Sequence, residues 1–169
     1  MAGQLIQVAK ATASGNPSVL EVTGINTDDV YMVTFSNIVP SAGERLEIRL
    51  TKSGTADTTL NYDNARKGLL TNSAFQNNSD TNDDEWLMAT VSNVSYAGTQ
   101  GIMYCYNFNS SSEYSFVTFE LPTWVTTPQL FGDIGGGVHT VASASDGISL
   151  KWSSTATFSS GEIVLYKVV

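Results

Sequence analysis

The chain has 169 residues, a formal net charge of −8 and only 14% charged residues. Its eight Lys and Arg are too few to neutralise a phosphate backbone, which excludes a basic nucleic-acid binder and disfavours an anionic membrane surface. Hydrophobic residues make up 41% of the chain, enough for a core, so the composition excludes a fully disordered chain, and the length fits one domain.

The first eighteen residues form a segment of their own. A short apolar group, Leu5, Ile6 and Val8, is followed by a polar, turn-prone run up to Pro17. Such a segment cannot build a core alone, so we expect residues 1–18 to be an arm that becomes ordered against a neighbouring subunit or a capsid protein. It lacks the features of a signal peptide, and no later window resembles a membrane span, so we expect a soluble product made in a cytoplasm, without membrane insertion.

From residue 19 onward, apolar and polar residues alternate in short runs. Leu46, Ile48 and Leu50 share one face of such a run and charged residues occupy the other, a pattern that predicts a half-buried strand. Many such runs, separated by turn residues, predict one all-β domain over residues 19–169, an antiparallel two-sheet sandwich with jelly-roll connections. The main strand candidates are 31–35, 45–51, 86–91, 102–108, 114–121, 146–152 and 162–169.

The polar stretch Asn61–Glu85 interrupts this pattern and is predicted to be a long loop, with at most one helical turn between Asp63 and Phe75. Long loops on a rigid scaffold commonly carry recognition, and their Asn, Asp, Ser and Thr side chains provide adaptable hydrogen bonds. We therefore predict a non-catalytic recognition surface in this loop. Its apolar anchors are Leu69, Leu70 and Phe75, and its acidic end consists of Asp80, Asp83, Asp84 and Glu85.

The acidic run Asp80–Glu85 admits a second interpretation, because closely spaced carboxylates can bind calcium. The run lacks the sixth-position glycine and the twelfth-position glutamate of an EF-hand loop. A solvated acidic loop is therefore favoured, and no metal site is predicted.

No other residues predict a catalytic or cofactor site. His139 is the only histidine and Cys105 the only cysteine, so neither a metal set nor an evident nucleophile–base pair can be assembled from them. We expect His139 to be a polar residue within a strand and Cys105 to be a buried thiol. Gly135–Gly137 lacks the lysine of a phosphate-binding loop and is expected to be a flexible connection or a bulge.

The tryptophans raise the possibility of a sugar-binding surface, because aromatic rings stack well on the apolar faces of sugar rings. Trp152 belongs to an alternating apolar run and is expected in the core. Trp124 follows Pro122 at a strand end and is the best candidate for an exposed aromatic, although packing is favoured over binding for this residue as well.

Parts of the chain resemble bacteriophage virion proteins. The aromatic-led stretch Tyr31–Pro40, followed by Leu46–Leu50 with its L-x-[IVL]-R-[LF] pattern, resembles an opening unit of those proteins. Phe158–Val168 resembles their ending, F-x-x-G-x-[IVF]-x-L-Y-G-[IV], with Lys167 in place of the usual glycine. Such proteins are common in marine and cyanobacterial phages, where tail-fibre-like and capsid-decoration-like members form β-sandwich appendages.

The resemblance implies a non-enzymatic protein on the virion surface, as a tail or fibre component or a capsid decoration. It implies assembly with other virion proteins and a homo-oligomer, for which analogy favours a trimer, and a host-surface glycan is a further candidate partner. The alternative is a carbohydrate-binding β-sandwich module. An enzyme with a hidden pair of carboxylates ranks third.

Overall fold

The computed structural model describes residues 3–125 and 129–169, and within these ranges every regular element is a β-strand. The predicted all-β class is therefore confirmed. In chain order the strands of these residues are β1 (Leu5–Thr12), β2 (Val19–Thr23), β3 (Tyr31–Pro40), β4 (Glu44–Lys52), β5 (Thr55–Ala56), β6 (Tyr62–Leu70), β7 (Gln76–Asp83), β8 (Trp86–Val91), β9 (Thr99–Tyr106), β10 (Ser115–Val125), β11 (Gln129–His139), β12 (Gly147–Trp152) and β13 (Phe158–Val168).

Two antiparallel sheets pack together as a sandwich, as the sequence predicts. The large sheet has the strand order β1-β13-β3-β9-β10-β11-β6-β7. The small sheet has the order β2-β12-β4-β5, and β8 also pairs with β4. A jelly roll is a finer statement than a two-sheet sandwich and stays a prediction.

The core lies between the sheets and is built from the alternating faces that the sequence marks. Leu46, Ile48 and Leu50 on β4 are fully buried, and burial of side chains of this size contributes roughly 1.5–3 kcal/mol each. Trp152 is also buried, as expected, and packs on Phe158 with ring centroids 4.9 Å apart. The apolar face of each predicted strand is therefore what joins the two sheets.

Part of the predicted N-terminal arm lies within the sandwich. Strand β1 pairs antiparallel with β13 of the same chain, from Leu5 opposite Val168 to Thr12 opposite Glu162. Residues 5–12 thus form the outermost strand of the large sheet of their own chain. That they also contact a neighbouring subunit stays a prediction.

The segment predicted as a long loop, Asn61–Glu85, is mostly a β-hairpin. Strand β6 pairs with β11 on one side and with β7 on the other, at the second edge of the large sheet. The loop prediction is wrong because β6 places the polar Asn64 and Arg66 on its inward face, so no apolar alternation marks the strand. Strand β7 has a single residue of a strand-favouring type, Thr81, and pairing with β6 holds it extended.

Gly135–Gly137 forms the middle of β11, so the expected flexible connection is also wrong. A Cβ atom on Gly135 would lie 2.4 Å from the carbonyl oxygen of Ala65, and one on Gly137 would lie 2.6 Å from the indole nitrogen of Trp86. Glycine is required at these positions because neighbouring groups approach the backbone too closely for any side chain.

Candidate binding surface

The hairpin divides the residues of the predicted recognition surface into two groups. Leu69 and Leu70 are half-buried at the end of β6, and Phe75 is exposed in the turn, where the Lys67 ammonium lies 5.3 Å from its ring centroid. The acidic group Asp83–Glu85 lies at the other end of β7, about 25 Å away along the strand. The structure therefore does not bring the apolar anchors and the acidic end together.

Asp80 belongs to neither group, because its carboxylate points toward the inner side of the hairpin. Its Oδ2 atom lies 2.6 Å from Nη1 of the buried Arg66. The same guanidinium donates to Oδ1 of Asn64 at 2.7 Å, and its Nε lies 3.3 Å from Oδ2 of Asp133. Asp80 therefore has a structural role that joins β7 to β6.

Asp84 and Glu85 belong to a charge cluster on the outer face of the small sheet, which we call the Arg49 cluster. The Arg49 guanidinium donates to Oε2 of Glu85 at 2.6 Å, to the Asp84 carboxylate and, through Nε, to the Asp84 carbonyl oxygen at 2.8 Å. Beside it, Lys151 Nζ lies 2.6 Å from Oε2 of Glu47. Glu85 is only 8% exposed, so the expectation of a solvated acidic loop is wrong for this residue.

Burial and mutual contact shift the pKa values of Glu85 and Asp84 in opposite directions. Burial raises the pKa of Glu85 to about 8, and the hydrogen bond with Asp84 and the negative charge of Glu47 act in the same direction. The hydrogen bond with Glu85, together with Arg49, holds the pKa of Asp84 below its usual range. Near neutral pH, Glu85 therefore retains its proton and shares it with the ionised Asp84. The carboxylates of Asp83, Asp84 and Glu85 lie within 4.8 Å of one another, and Arg49 supplies the positive charge that the last two face.

A second cluster surrounds His139 at the end of β11. The imidazole is fully buried, its Nε2 atom lies 3.3 Å from Oδ2 of Asp57, and its ring meets Tyr62 edge-on at 4.8 Å. Burial holds the pKa of His139 below its ordinary value. Burial also opposes ionisation of Asp57, but hydrogen bonds from Lys52 and Thr59 outweigh that effect and lower its pKa to about 2. A histidine enclosed in this way cannot reach a substrate, so the cluster is structural.

The outer face of the large sheet carries a shallow trench, called the outer trench below. Its floor is a row of side chains in register on five neighbouring strands, and the first four of them are small. The row runs across the strands from β7 to β9, over about 19 Å. On the side of the row that faces Asp63, Val138 and Phe116 lies an open depression of about 600 Å³. The floor residues are Ser79, Ala65, Gly136, Thr118 and Tyr104.

Larger side chains form the two walls of the outer trench. Phe116 stands on one wall and Ile134 on the other, and these apolar side chains are 45% and 39% exposed. The hydroxyl of Tyr106 lies 3.3 Å from that of Thr118, so this ring reaches over the floor. In register order, the first wall is Asp63, Val138, Phe116 and Tyr106, and the second is Lys67, Ile134, Glu120 and Ile102.

The remaining sequence candidates lie on or beneath the same sheet. Trp124 is 41% exposed on the outer face of β10, opposite Leu130 of β11, and these two residues with Tyr96 line a smaller depression beyond the trench. Cys105 is fully buried, as expected, and its burial raises the pKa of the thiol.

One signal in the sequence could have revealed the outer trench. Along β10 the buried side chains alternate with exposed ones, and the exposed positions include the aromatic Phe116 and Trp124. Large apolar residues on the solvent side of an alternating strand mark a face that has a use other than solubility. The floor itself has no such signal, because its residues come from five separate segments of the chain.

No family model, no curated protein and no solved structure matches the chain. Among the residues that the structure describes, no helix has the length and apolar character needed to cross a membrane.

Proposed function

We propose that the chain is a non-enzymatic structural protein on the surface of a bacteriophage virion, as a tail or fibre component or a capsid decoration. The observation that carries this proposal is the edge strand β1. It exposes the apolar Leu5, Ile6 and Val8, and its outer side is not paired within the sheet. An open, apolar edge strand is a template for association with another chain. The edge therefore contacts a second copy in a homo-oligomer, with a trimer favoured, or another virion protein.

The opposite edge of the same sheet supports this assignment. Strand β7 exposes Gln, Asn, Ser and Thr side chains, carries two half-buried Asp residues and contains no apolar residue. Polar and charged edges are one way in which proteins avoid edge-to-edge pairing. Of the two edges of the large sheet, β1 is therefore the one suited to assembly.

The order of the strands supports the jelly-roll form of the proposed sandwich. Eight strands divide equally between the sheets, with β1, β3, β9 and β13 in the large sheet and β2, β4, β8 and β12 in the small one. The first pair of strands, β1 and β2, lies beside the last pair, β13 and β12. Two four-stranded sheets wound in this way form a jelly roll, and β5, β6, β7, β10 and β11 are then additions to it.

The charged groups also support a non-enzymatic role. Both clusters of ionisable side chains described above are internally neutralised, and the imidazole of His139 is sealed from solvent. Neither cluster presents a free acid–base pair to a substrate.

The experiment that tests assembly replaces the exposed apolar residues of β1 together, as Leu5→Ser, Ile6→Ser and Val8→Ser. We expect the purified protein to be an oligomer by light scattering and the triple variant to be a monomer with an unchanged far-UV spectrum. Val19→Ser, an exposed apolar residue of the small sheet, is the matched control and should leave the oligomer intact. A monomeric unmodified protein, or a triple variant that assembles normally, would overturn the assembly role.

The virion assignment has its own test. An antibody raised against the chain should label the outside of the phage particles whose genome encodes it, in immunogold electron microscopy. Particles that contain none of the chain would contradict the virion proposal, whatever the oligomeric state of the isolated protein.

A further inference from the structure

The outer trench and the β1 edge are separate surfaces, so an inference about the trench goes beyond assembly and does not rest on it. The trench begins at β7 and ends at β9, whereas β1 lies three strands beyond β9 in the sheet order. A ligand in the trench would therefore leave the β1 edge of the sheet free.

The geometry of the trench suits an extended chain that lies across the strands. Floor side chains repeat at the strand spacing of about 4.8 Å, and the two walls stand about 13 Å apart. One strand spacing is close to the length of one pyranose residue in an extended glycan. The floor from Ser79 to Tyr104 thus has room for about four sugar residues.

The chemistry of the lining matches the two sides of a pyranose ring. Aromatic rings of Tyr104, Tyr106 and Phe116 stand at the β9–β10 end and offer apolar faces to sugar C–H groups. Hydroxyl and amide groups of Ser79, Asn77 and Thr118 provide neutral hydrogen bonds along the trench. Ligand sites commonly combine apolar walls with a few polar groups in this way.

The charges of the walls favour a glycan over a protein partner. Asp63, Lys67 and Glu120 stand on the walls, and the five floor residues carry no charge. A helix or a second copy wide enough to cover the trench would bury these charges, which is costly unless each is paired. Sugar hydroxyls can donate to the carboxylates and accept from the ammonium while water still reaches them.

We propose that the outer trench binds a linear, neutral glycan, about four residues of which lie across strands β7, β6, β11, β10 and β9. Phe116 and Tyr106 pack on the apolar faces of the sugars. Asp63 and Glu120 accept hydrogen bonds from their hydroxyls.

The test measures binding of cellohexaose, maltohexaose and chitohexaose to the purified protein by isothermal titration calorimetry. We expect one of them to bind and Ala65→Trp, which fills the floor, to weaken its binding about tenfold or more. Phe116→Ala, which removes a wall without adding volume, should weaken it as well. Thr55→Trp adds the same side chain to an exposed position of the small sheet and should change nothing.

Three results would overturn the proposal. The first is that none of the three hexasaccharides binds. The second is that both trench variants bind as tightly as the unmodified protein. The third is that the trench variants, and not the β1 variant, turn an oligomer into a monomer in light scattering, which would assign the trench to a second copy of the chain.

Discussion

The two sheets turn very different outer faces to solvent. On the small sheet, the Arg49 cluster pairs each buried charge with an opposite one, so its hydrogen-bonding capacity is used within the protein. On the large sheet, the outer trench presents small and aromatic side chains whose apolar surface nothing in the described chain covers. A sheet face whose charged side chains pair with one another contributes stability. A face whose apolar and polar side chains stay exposed and unpaired is instead available to a ligand.

The largest expected effect comes from removing the central cation of the small sheet. Arg49→Ala leaves Glu85 and Asp84 without their hydrogen-bond donor and Glu47 with Lys151 as its cation, and the loss of charge-assisted hydrogen bonds of this kind costs about 1.5–3 kcal/mol. Urea denaturation at neutral pH measures the change in unfolding free energy. Arg45→Ala is the matched control on the same strand, because Arg45 is half-buried and donates one long hydrogen bond, 3.4 Å, to the Met88 carbonyl. If both variants lose the same stability, the Arg49 cluster does not stabilise the small sheet.

A smaller effect is expected from pH. The pKa of Glu85 in the folded protein, about 8, is above its unfolded value of 4.5, so the folded state binds this proton more tightly. The resulting stabilisation is complete below pH 4.5 and is lost as the pH rises through about 8. We expect unfolding free energy to fall by about 1–2 kcal/mol between pH 6.5 and about pH 9, and to fall less in Glu85→Gln.

His139 provides an internal check, because its effect has the opposite sign. Its pKa in the folded protein lies below the ordinary 6.5, so its contribution is present above pH 6.5 and is lost as the pH falls. His139→Gln should therefore keep the full alkaline loss of stability that Glu85→Gln reduces. An alkaline loss as large in Glu85→Gln as in the unmodified protein would show that another group causes it.

The smallest effect on stability is expected on the outer trench. Phe116→Ala should cost about 1 kcal/mol or less, because nearly half of the side chain is exposed. Phe119→Ala, three residues along β10 on the buried face, should cost several times more, which urea denaturation of the two variants would show. If Phe116→Ala lost as much unfolding free energy as Phe119→Ala, Phe116 would be packed like a core residue and the outer face would not be open to a ligand.

Strands with an apolar inward face could be predicted from sequence, and the hairpin could not. On β4, Leu46, Ile48 and Leu50 alternate with charged residues, and the predicted strand is confirmed. On β6 the inward positions include Asn64 and Arg66, whose burial depends on Asp80 and Asp133 from other strands. Polar residues satisfied by distant partners give no local pattern, which is why Asn61–Glu85 resembled a loop.

The candidate site shows the same division. The exposure of Phe75 and Trp124 could be predicted from the residues next to them in the sequence. The separation of Phe75 from Glu85 could not be predicted, because it depends on the hairpin, which places these two residues at opposite ends of β7. Charge spacing alone also suggested a solvated loop for Glu85. In the structure Glu85 is buried and accepts a hydrogen bond from Arg49, a residue of the distant strand β4.

By itself, the sequence determined an all-β chain, the alternating faces that join two sheets and the lack of an evident catalytic motif, because period-two alternation and residue type are local properties. Only the tertiary structure decided which residues share the outer trench and which close the Arg49 cluster. The physical reason is register: Ala65, Gly136 and Thr118 become neighbours only when β6, β11 and β10 pair. A shift of one residue in that pairing would turn every one of these side chains to the other face of the sheet.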